Sequence, residues 1–249
     1  MKLTVLGSGG WIPTHENETA CYMIETEKAL ILLDAGTGVS NLSSYQDVIR
    51  RYDTLHIVLS HYHFDHVIGL SYLPMLFNKH QIWIHGPGAP AYPAGVKEIL
   101  NSFFSEPFAG SSAEELTEHM HFADYTEGPF MVENVSFQAF PQHHAHPSYG
   151  LKVENLLYYA SDTSLLEATF QRAEGVKMLL HECWDLERVE ESFHTSLEEI
   201  LATIPSKVNY QVGLIHRNPR WGLKELAAAQ EKINSRNIKF MEDYQYYEL

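Results

Sequence analysis

Within six consecutive residues, His61-Tyr62-His63-Phe64-Asp65-His66, the chain places three imidazoles and a carboxylate. Neutral imidazole nitrogen and carboxylate oxygen are donors that zinc, manganese and iron accept. In an extended loop alternate side chains share a face, so His61, His63 and Asp65 are expected to point together, with His66 at the start of the helix that follows. A catalytic ion keeps a position free for water or substrate, and four protein donors would leave a single ion none. The run therefore predicts two ions that share the cluster and draw further ligands from elsewhere in the chain.

The elements around the run must hold it in place. Leu55-His56-Ile57-Val58-Leu59-Ser60 is β-branched and apolar and reads as a buried strand, and a helical pattern continues over 67–77. The cluster thus falls on a strand-to-helix loop. Upstream, residues 2–7 read as a strand entering Gly7-Ser8-Gly9-Gly10, a structural turn rather than a phosphate cradle because no helical pattern follows it. The runs 19–24 and 29–33 form a hairpin ending at Asp34, and a helix from about Leu42 to Arg51 leads to the strand at 55–60. Downstream come a strand at 81–85, helical spacing over 95–104 and a short capped helix at 111–116. His119 and His121 alternate like His61 and His63, but no acid follows in register, and they read as ordinary strand histidines.

The second half repeats the device of a polar residue at the end of an apolar strand. A strand over 135–141 leads to His143, His144 and His146; a hairpin of 149–153 and 156–160 ends just before Asp162. A strand at 176–181 delivers Glu182, and one at 210–215 delivers His216. Ligand sites of layered α/β folds gather at such carboxyl ends. Ser192 or Thr195 would cap a helix over 197–203, and a helix over 223–234 with a terminal strand closes the chain.

Composition narrows the partners. The chain has 249 residues, a formal net charge of −15 and no Lys/Arg-rich run, whereas nucleic-acid binders draw most of their affinity from cations at phosphates. A large polyanion would be repelled; a small phosphate ester would not, because two metal ions add local positive charge that the formal count omits. No run of 18 apolar residues exists, so no membrane span is expected, and the amino terminus lacks the zones of a secretion signal, which gives a cytoplasmic expectation. Cys21 and Cys183 are expected to be buried free thiols.

The His-x-His-x-Asp-His run resembles the signature of the metallo-β-lactamase superfamily. His144 with Pro147-Ser148-Tyr149-Gly150, His181-Glu182-Cys183, His194-Thr195-Ser196 and Arg220-Trp221 resemble, with alterations at Cys183 and after His194, the motifs of its ribonuclease Z branch. The resemblance covers the whole chain. It implies an α/β (α+β) fold, the four-layer αββα sandwich, as a single domain over residues 1–249. It implies His61, His63, His144 and Asp162 around one divalent ion and Asp65, His66, Asp162 and His216 around the other, zinc ahead of manganese or iron, with Asp34 orienting a ligating imidazole. Of the three neighbouring histidines it selects His144, with His143 and His146 as the alternatives.

The same resemblance implies a hydrolase in which water activated by the two ions attacks phosphorus, Asp65 assists as base, and His194, held by Glu182, protonates the leaving oxygen. Arg220 and Ser148 are candidate substrate contacts. Ribonuclease Z enzymes carry an extended arm that grips transfer RNA, and between Asp162 and Glu182 there is no room for one. The expected substrate is therefore a small or cyclic phosphodiester rather than RNA, with transfer RNA 3′ processing, thioester or lactone hydrolysis, and metal binding without turnover as the alternatives. Family members are often dimers, which makes a homodimer an expectation of the resemblance alone.

Overall fold

Runs of Val, Ile, Leu and aromatic residues form the strands, and in the middle of each sheet they are apolar on both faces. The computed structural model describes residues 1–77, 80–101, 103–106, 119–205, 207–234 and 237–249. The first sheet comprises β1 (Lys2–Gly7), β2 (Cys21–Glu25), β3 (Leu30–Leu33), β4 (Thr54–Val58), β5 (Gln81–Pro87) and β6 (Met120–Tyr125), and it is joined by the last strand of the chain, β14 (Tyr246–Glu248). The second comprises β7 (Gly128–Val132), β8 (Val135–Gln142), β9 (Ser148–Val153), β10 (Leu157–Tyr159), β11 (Met178–Glu182), β12 (Gln211–Ile215) and β13 (Ile238–Phe240). Strand orders are β14-β1-β2-β3-β4-β5-β6 and β13-β12-β11-β10-β9-β8-β7.

Each sheet is mixed. β3, β4, β5 and β6 run parallel in the first, and β10, β11, β12 and β13 in the second, while hairpins fill the other side. All residues of β2, β3, β10 and β11 are buried, as expected of strands covered on both faces. One core cluster joins Val5, Tyr22, Ile31 and Leu33 of the first sheet to Phe137, Leu151, Tyr159 and Leu180 of the second, so the sheets pack face to face. Two further clusters lie on the outer faces, where helices cover them: Leu32, Ile57, Leu70 and Leu100 on one side, Leu179, Phe170, Ile200 and Ile233 on the other. Helix, sheet, sheet and helix give the four-layer αββα metallo-β-lactamase fold that the sequence led us to expect.

Several local expectations are corrected. In place of a helix over 42–51, 3₁₀ turns span Thr37–Tyr45 and one α-turn spans Gln46–Ile49; the stretch is rich in Ser, Thr and Asn, whose side chains favour local turns over a regular helix. The pattern over 67–77 resolves into α Phe64–Val67, 3₁₀ Ile68–Tyr72 and α Leu73–Leu76, broken where Gly69 and Pro74 weaken the hydrogen-bond ladder. It begins at Phe64, which carries Asp65 and His66 into a helical turn. The helix Leu197–Thr203 is capped by Ser196, not by Ser192 or Thr195: the Ser196 hydroxyl accepts from Glu199 N–H at 3.2 Å while Glu199 accepts from Ser196 N–H at 3.0 Å. The helix expected at 111–116 lies outside the described residues.

Candidate metal centre

Asp34, His61, Asp162, Glu182 and His216 all sit at or just beyond the carboxyl ends of β3, β4, β10, β11 and β12. These are the parallel strands, so one edge of the sandwich collects them. Asp34, Ser161 and His216 have φ of 57°, 53° and 53°. A left-handed residue turns the chain sharply out of its strand, at a cost of about 1–3 kcal/mol that surrounding contacts must hold. Two glycines allow close approach here. A Cβ on Gly10 would lie 2.6 Å from the His216 ring, and one on Gly36 would lie 2.1 Å from the Asp65 carbonyl. The glycine turn at 7–10 is thus a packing device, as its sequence context implied.

Two donor groups stand side by side, His61, His63, His144 and Asp162 in one and Asp65, His66 and His216 in the other, and a third grouping of Asp162, His194 and His216 overlaps them; within each the donor atoms lie within 4.8 Å of one another. Asp162 lies between them: its Oδ1 is 3.3 Å from His66 Nε2, and its Oδ2 is 3.3 Å from His216 Nε2 and 3.8 Å from His144 Nε2. Strict alternation had aimed Asp65 with His61 and His63. Asp65 instead turns to His216, whose Nε2 is 3.0 Å from Asp65 Oδ2, because the helix starts one residue before it.

Neighbours fix the imidazoles. Asp34, fully buried, accepts from His66 Nδ1 at 2.7 Å, from Ser60 N–H at 2.6 Å and from the hydroxyls of Ser60 and Tyr159, which leaves His66 Nε2 facing the centre. Ser60 Oγ lies 3.0 Å from His61 Nδ1. His144 Nδ1 donates to the Phe193 carbonyl at 3.0 Å, and its Nε2 lies 3.2 Å from His63 Nδ1. His143 turns away to Ser164 at 2.6 Å, and the exposed His146 reaches only the far nitrogen of His63 at 3.3 Å. Among the three candidates, His144 is therefore the one in the cluster.

The donor set fits divalent metal. His61 Nε2, His66 Nε2 and Asp162 Oδ1 are buried without hydrogen-bond partners, and each such atom costs about 1–3 kcal/mol unless a ligand meets it. Nitrogen and oxygen donors with no cysteine suit zinc, manganese or iron. Burial holds the His144 pKa down at about 4, with Asp162 opposing, and burial with neighbouring imidazoles pushes His61 well down. Both present unprotonated nitrogen at neutral pH. Burial would raise the Asp65 and Asp162 carboxyls, but the adjacent histidines outweigh it and keep both low. Donor chemistry and geometry together fit a metal site on this fold.

Beside the donor groups, His194 Nδ1 meets Glu182 Oε2 at 2.9 Å, and Glu182 also accepts from Thr163 N–H. Burial lowers the His194 pKa, but the Glu182 carboxylate more than offsets it and the net value is about 9. Sequence reading missed Trp184, whose ring stacks on His194 at 5.0 Å and tilts against His216 at 5.3 Å; its position after the altered His181-Glu182-Cys183 motif was the available signal. Trp11 was missed too. Its main-chain N–H donates to Asp65 Oδ2 at 2.7 Å.

Other candidates fall elsewhere. Ser148 is buried in β9 with its hydroxyl unpartnered, and Arg220 is exposed; neither lines the cavity over the cluster. His121 stacks on Trp83 at 4.8 Å and pairs with Gln81, an ordinary strand histidine as read. Cys21 and Cys183 are buried and free. No described helix is long and apolar enough to cross a membrane.

The family model described as Anti-Pycsar protein Apyc1 matches residues 1–247. Ribonuclease Z of Pyrococcus abyssi (strain GE5 / Orsay) is 25% identical, with 94% of this chain and 91% of the relative covered. Among solved structures, the metallo-β-lactamase fold protein YhfI from Bacillus subtilis is similar, with a TM-score of 0.76 and 17% identity over 99% of this chain and 98% of that one. A diphosphatase from the PhnP family gives a TM-score of 0.73 and 16% identity, covering 100% and 97%.

Proposed function

This chain belongs to the Anti-Pycsar protein Apyc1 family, and from that premise we propose that it is a phosphodiesterase acting on a small cyclic phosphodiester, a cyclic nucleotide. The observation that carries the reading is Asp162 between two buried donor groups, with His194 held by Glu182 beside them. The family's degradation of cyclic nucleotides supports it, and the ribonuclease Z and diphosphatase names of similar proteins point to phosphoester chemistry.

In this reading His61, His63, His144 and Asp162 hold one divalent ion and Asp65, His66, Asp162 and His216 the second, zinc ahead of manganese or iron. Such an ion pair, when bound, polarises phosphoryl oxygens and lowers the pKa of water to near neutrality. The protein does the rest. Asp34, Ser60 and the Phe193 carbonyl keep His66, His61 and His144 turned inward. Asp65 Oδ2, carrying a hydrogen bond from the Trp11 main-chain N–H, stands ready to accept a proton from the attacking water. His194 keeps a proton on its free nitrogen because Glu182 favours the charged ring, and it gives that proton to the departing sugar oxygen. Opening a cyclic ester this way breaks one P–O bond and leaves a monoester.

Transfer RNA 3′ processing is the weaker reading. Between Asp162 and Glu182 the chain has only the helix Glu167–Arg172, its flanking loops and β11, and the charge of −15 opposes a polyanion. The test is hydrolysis of 3′,5′-cyclic nucleotides, a transfer RNA precursor and an activated thioester by metal-loaded protein. Cleavage of the cyclic nucleotide is expected; cleavage of the thioester or the precursor alone would overturn the proposal.

A further inference from the structure

The cavity over the cluster has a volume of about 280 Å³ and is lined by His63, Asp65, His144, Asp162, His194 and His216 below, with Trp11, Ala145, Glu191, Ser192 and Phe193 around them. That volume lies near the low end for small-ligand sites. Among the described residues its lining holds no Lys or Arg. The nearby Arg217 lines a separate pocket and pairs with Glu16 at 3.3 Å. A substrate phosphate must therefore be met at the cluster itself, and additional phosphates along a polynucleotide would find Glu191 rather than a cation.

Trp11 is 66% exposed and Phe193 47% exposed, although large aromatics are normally buried. Trp11 also has φ of 65°, a left-handed conformation rare for a bulky side chain. Its main chain is pinned by the hydrogen bond from Trp11 backbone N–H to Asp65 Oδ2, which ties the base of the side chain to the cluster. Phe193 is pinned likewise, since its carbonyl accepts from His144 Nδ1 at 3.0 Å. One aromatic comes from the loop after β1 and the other from the loop after β11. Trp11 and Phe193 thus both border the cavity, each tied by its main chain to a residue of the cluster.

We propose that Trp11 and Phe193 form a stacking site for the nucleobase of a mononucleotide substrate, which makes the base, and not only the phosphodiester, a source of affinity. This inference rests on the phosphodiesterase reading of the site. Stacking of a base on an aromatic side chain contributes about 1–3 kcal/mol and tolerates any base, because every base has a π-face. Purine and pyrimidine substrates should consequently differ little in KM, by less than about tenfold.

The experiment compares adenosine 3′,5′-cyclic phosphate with methyl ribofuranoside 3′,5′-cyclic phosphate, which lacks the base, in metal-loaded wild type, Trp11→Ala, Trp11→Phe and Phe193→Ala. Binding of adenosine 5′-monophosphate and ribose 5-phosphate is measured by calorimetry alongside. Wild type is expected to prefer the nucleotide in kcat/KM and in affinity by about tenfold or more. Trp11→Ala and Phe193→Ala should each cut that preference by about fivefold or more through KM, and Trp11→Phe should restore most of it. Equal loss on both substrates in Trp11→Ala would overturn the inference, because it would mark Trp11 as a support for Asp65. A wild type that cleaves both cyclic phosphates equally well, with equal affinity for the two monophosphates, would overturn it too while leaving the phosphodiesterase reading standing. Cleavage of neither cyclic phosphate would defeat that reading, and the monophosphate affinities would then judge the stacking site alone. If Trp11→Ala instead dissociates an oligomer in light scattering with no change in base preference, the exposed indole serves a second copy of the chain and the inference fails.

Discussion

His61, His66 and His144 each have one nitrogen held and one turned inward, and that division makes residue-level outcomes specific. His144→Ala should lose about one metal equivalent and nearly all hydrolysis, because a missing ligand cannot be replaced by the outward-facing His143 or the exposed His146. His143→Ala should retain both metals, as metal analysis of the purified variants would read. In the proposed mechanism the Glu182–His194 pair governs proton donation. His194, with its pKa at about 9 under the pull of Glu182, is a competent acid below that pH and loses its proton above it, so activity on a poor leaving group should fall as pH rises through about 9. Glu182→Gln removes the charge that raises the value and leaves burial, which lowers it. The alkaline limb of the kcat profile should then move to lower pH. Loss of a positioned acid typically costs about 10²–10⁴-fold, and His194→Ala should show that loss on an alkyl ester while sparing an ester whose leaving group needs no proton. A p-nitrophenyl ester distinguishes the two.

At the scale of elements, function depends on where strands end and helices begin. The turn at Phe64 moves Asp65 out of alternation and into the second donor group, and the left-handed residues after β3, β10 and β12 swing Asp34, Asp162 and His216 to one edge. On the other side, the loop that carries Phe193 and His194 is closed by the capping box at Ser196. Ser196→Ala should destabilise the protein by about 1 kcal/mol, read by urea unfolding. Its effect on metal content should be small, because the hydrogen bond from Thr195 Oγ1 to the Thr163 carbonyl at 2.7 Å ties the same loop to the Asp162 strand end independently.

For the whole molecule, two sheets packed face to face form the walls, and the candidate metal centre sits on an edge where both halves contribute. Ligands so far apart in sequence couple metal binding to folding. Removal of metal by a chelator should abolish hydrolysis and lower Tm, since an ion at about a hundred times its Kd stabilises by about 2.7 kcal/mol, or about 5–10 °C for a chain of this size. Re-addition of zinc or manganese should restore both. Read without the structure, the His61–His66 run and the strand-end carboxylates already pointed to a His/Asp metal site, because ligand type is a local property, while the four-layer fold came from the resemblance that the run carries. What tertiary structure alone decided was the choice of His144, the turning of Asp65 away from His61 and His63, the withdrawal of Ser148 and Arg220 from the cavity, and the presence of Trp184, Trp11 and Phe193 around His194. Those depend on side chains meeting across the two sheets. No local pattern encodes that, since a donor's partner is fixed by where its strand ends in space and not by its neighbours along the chain.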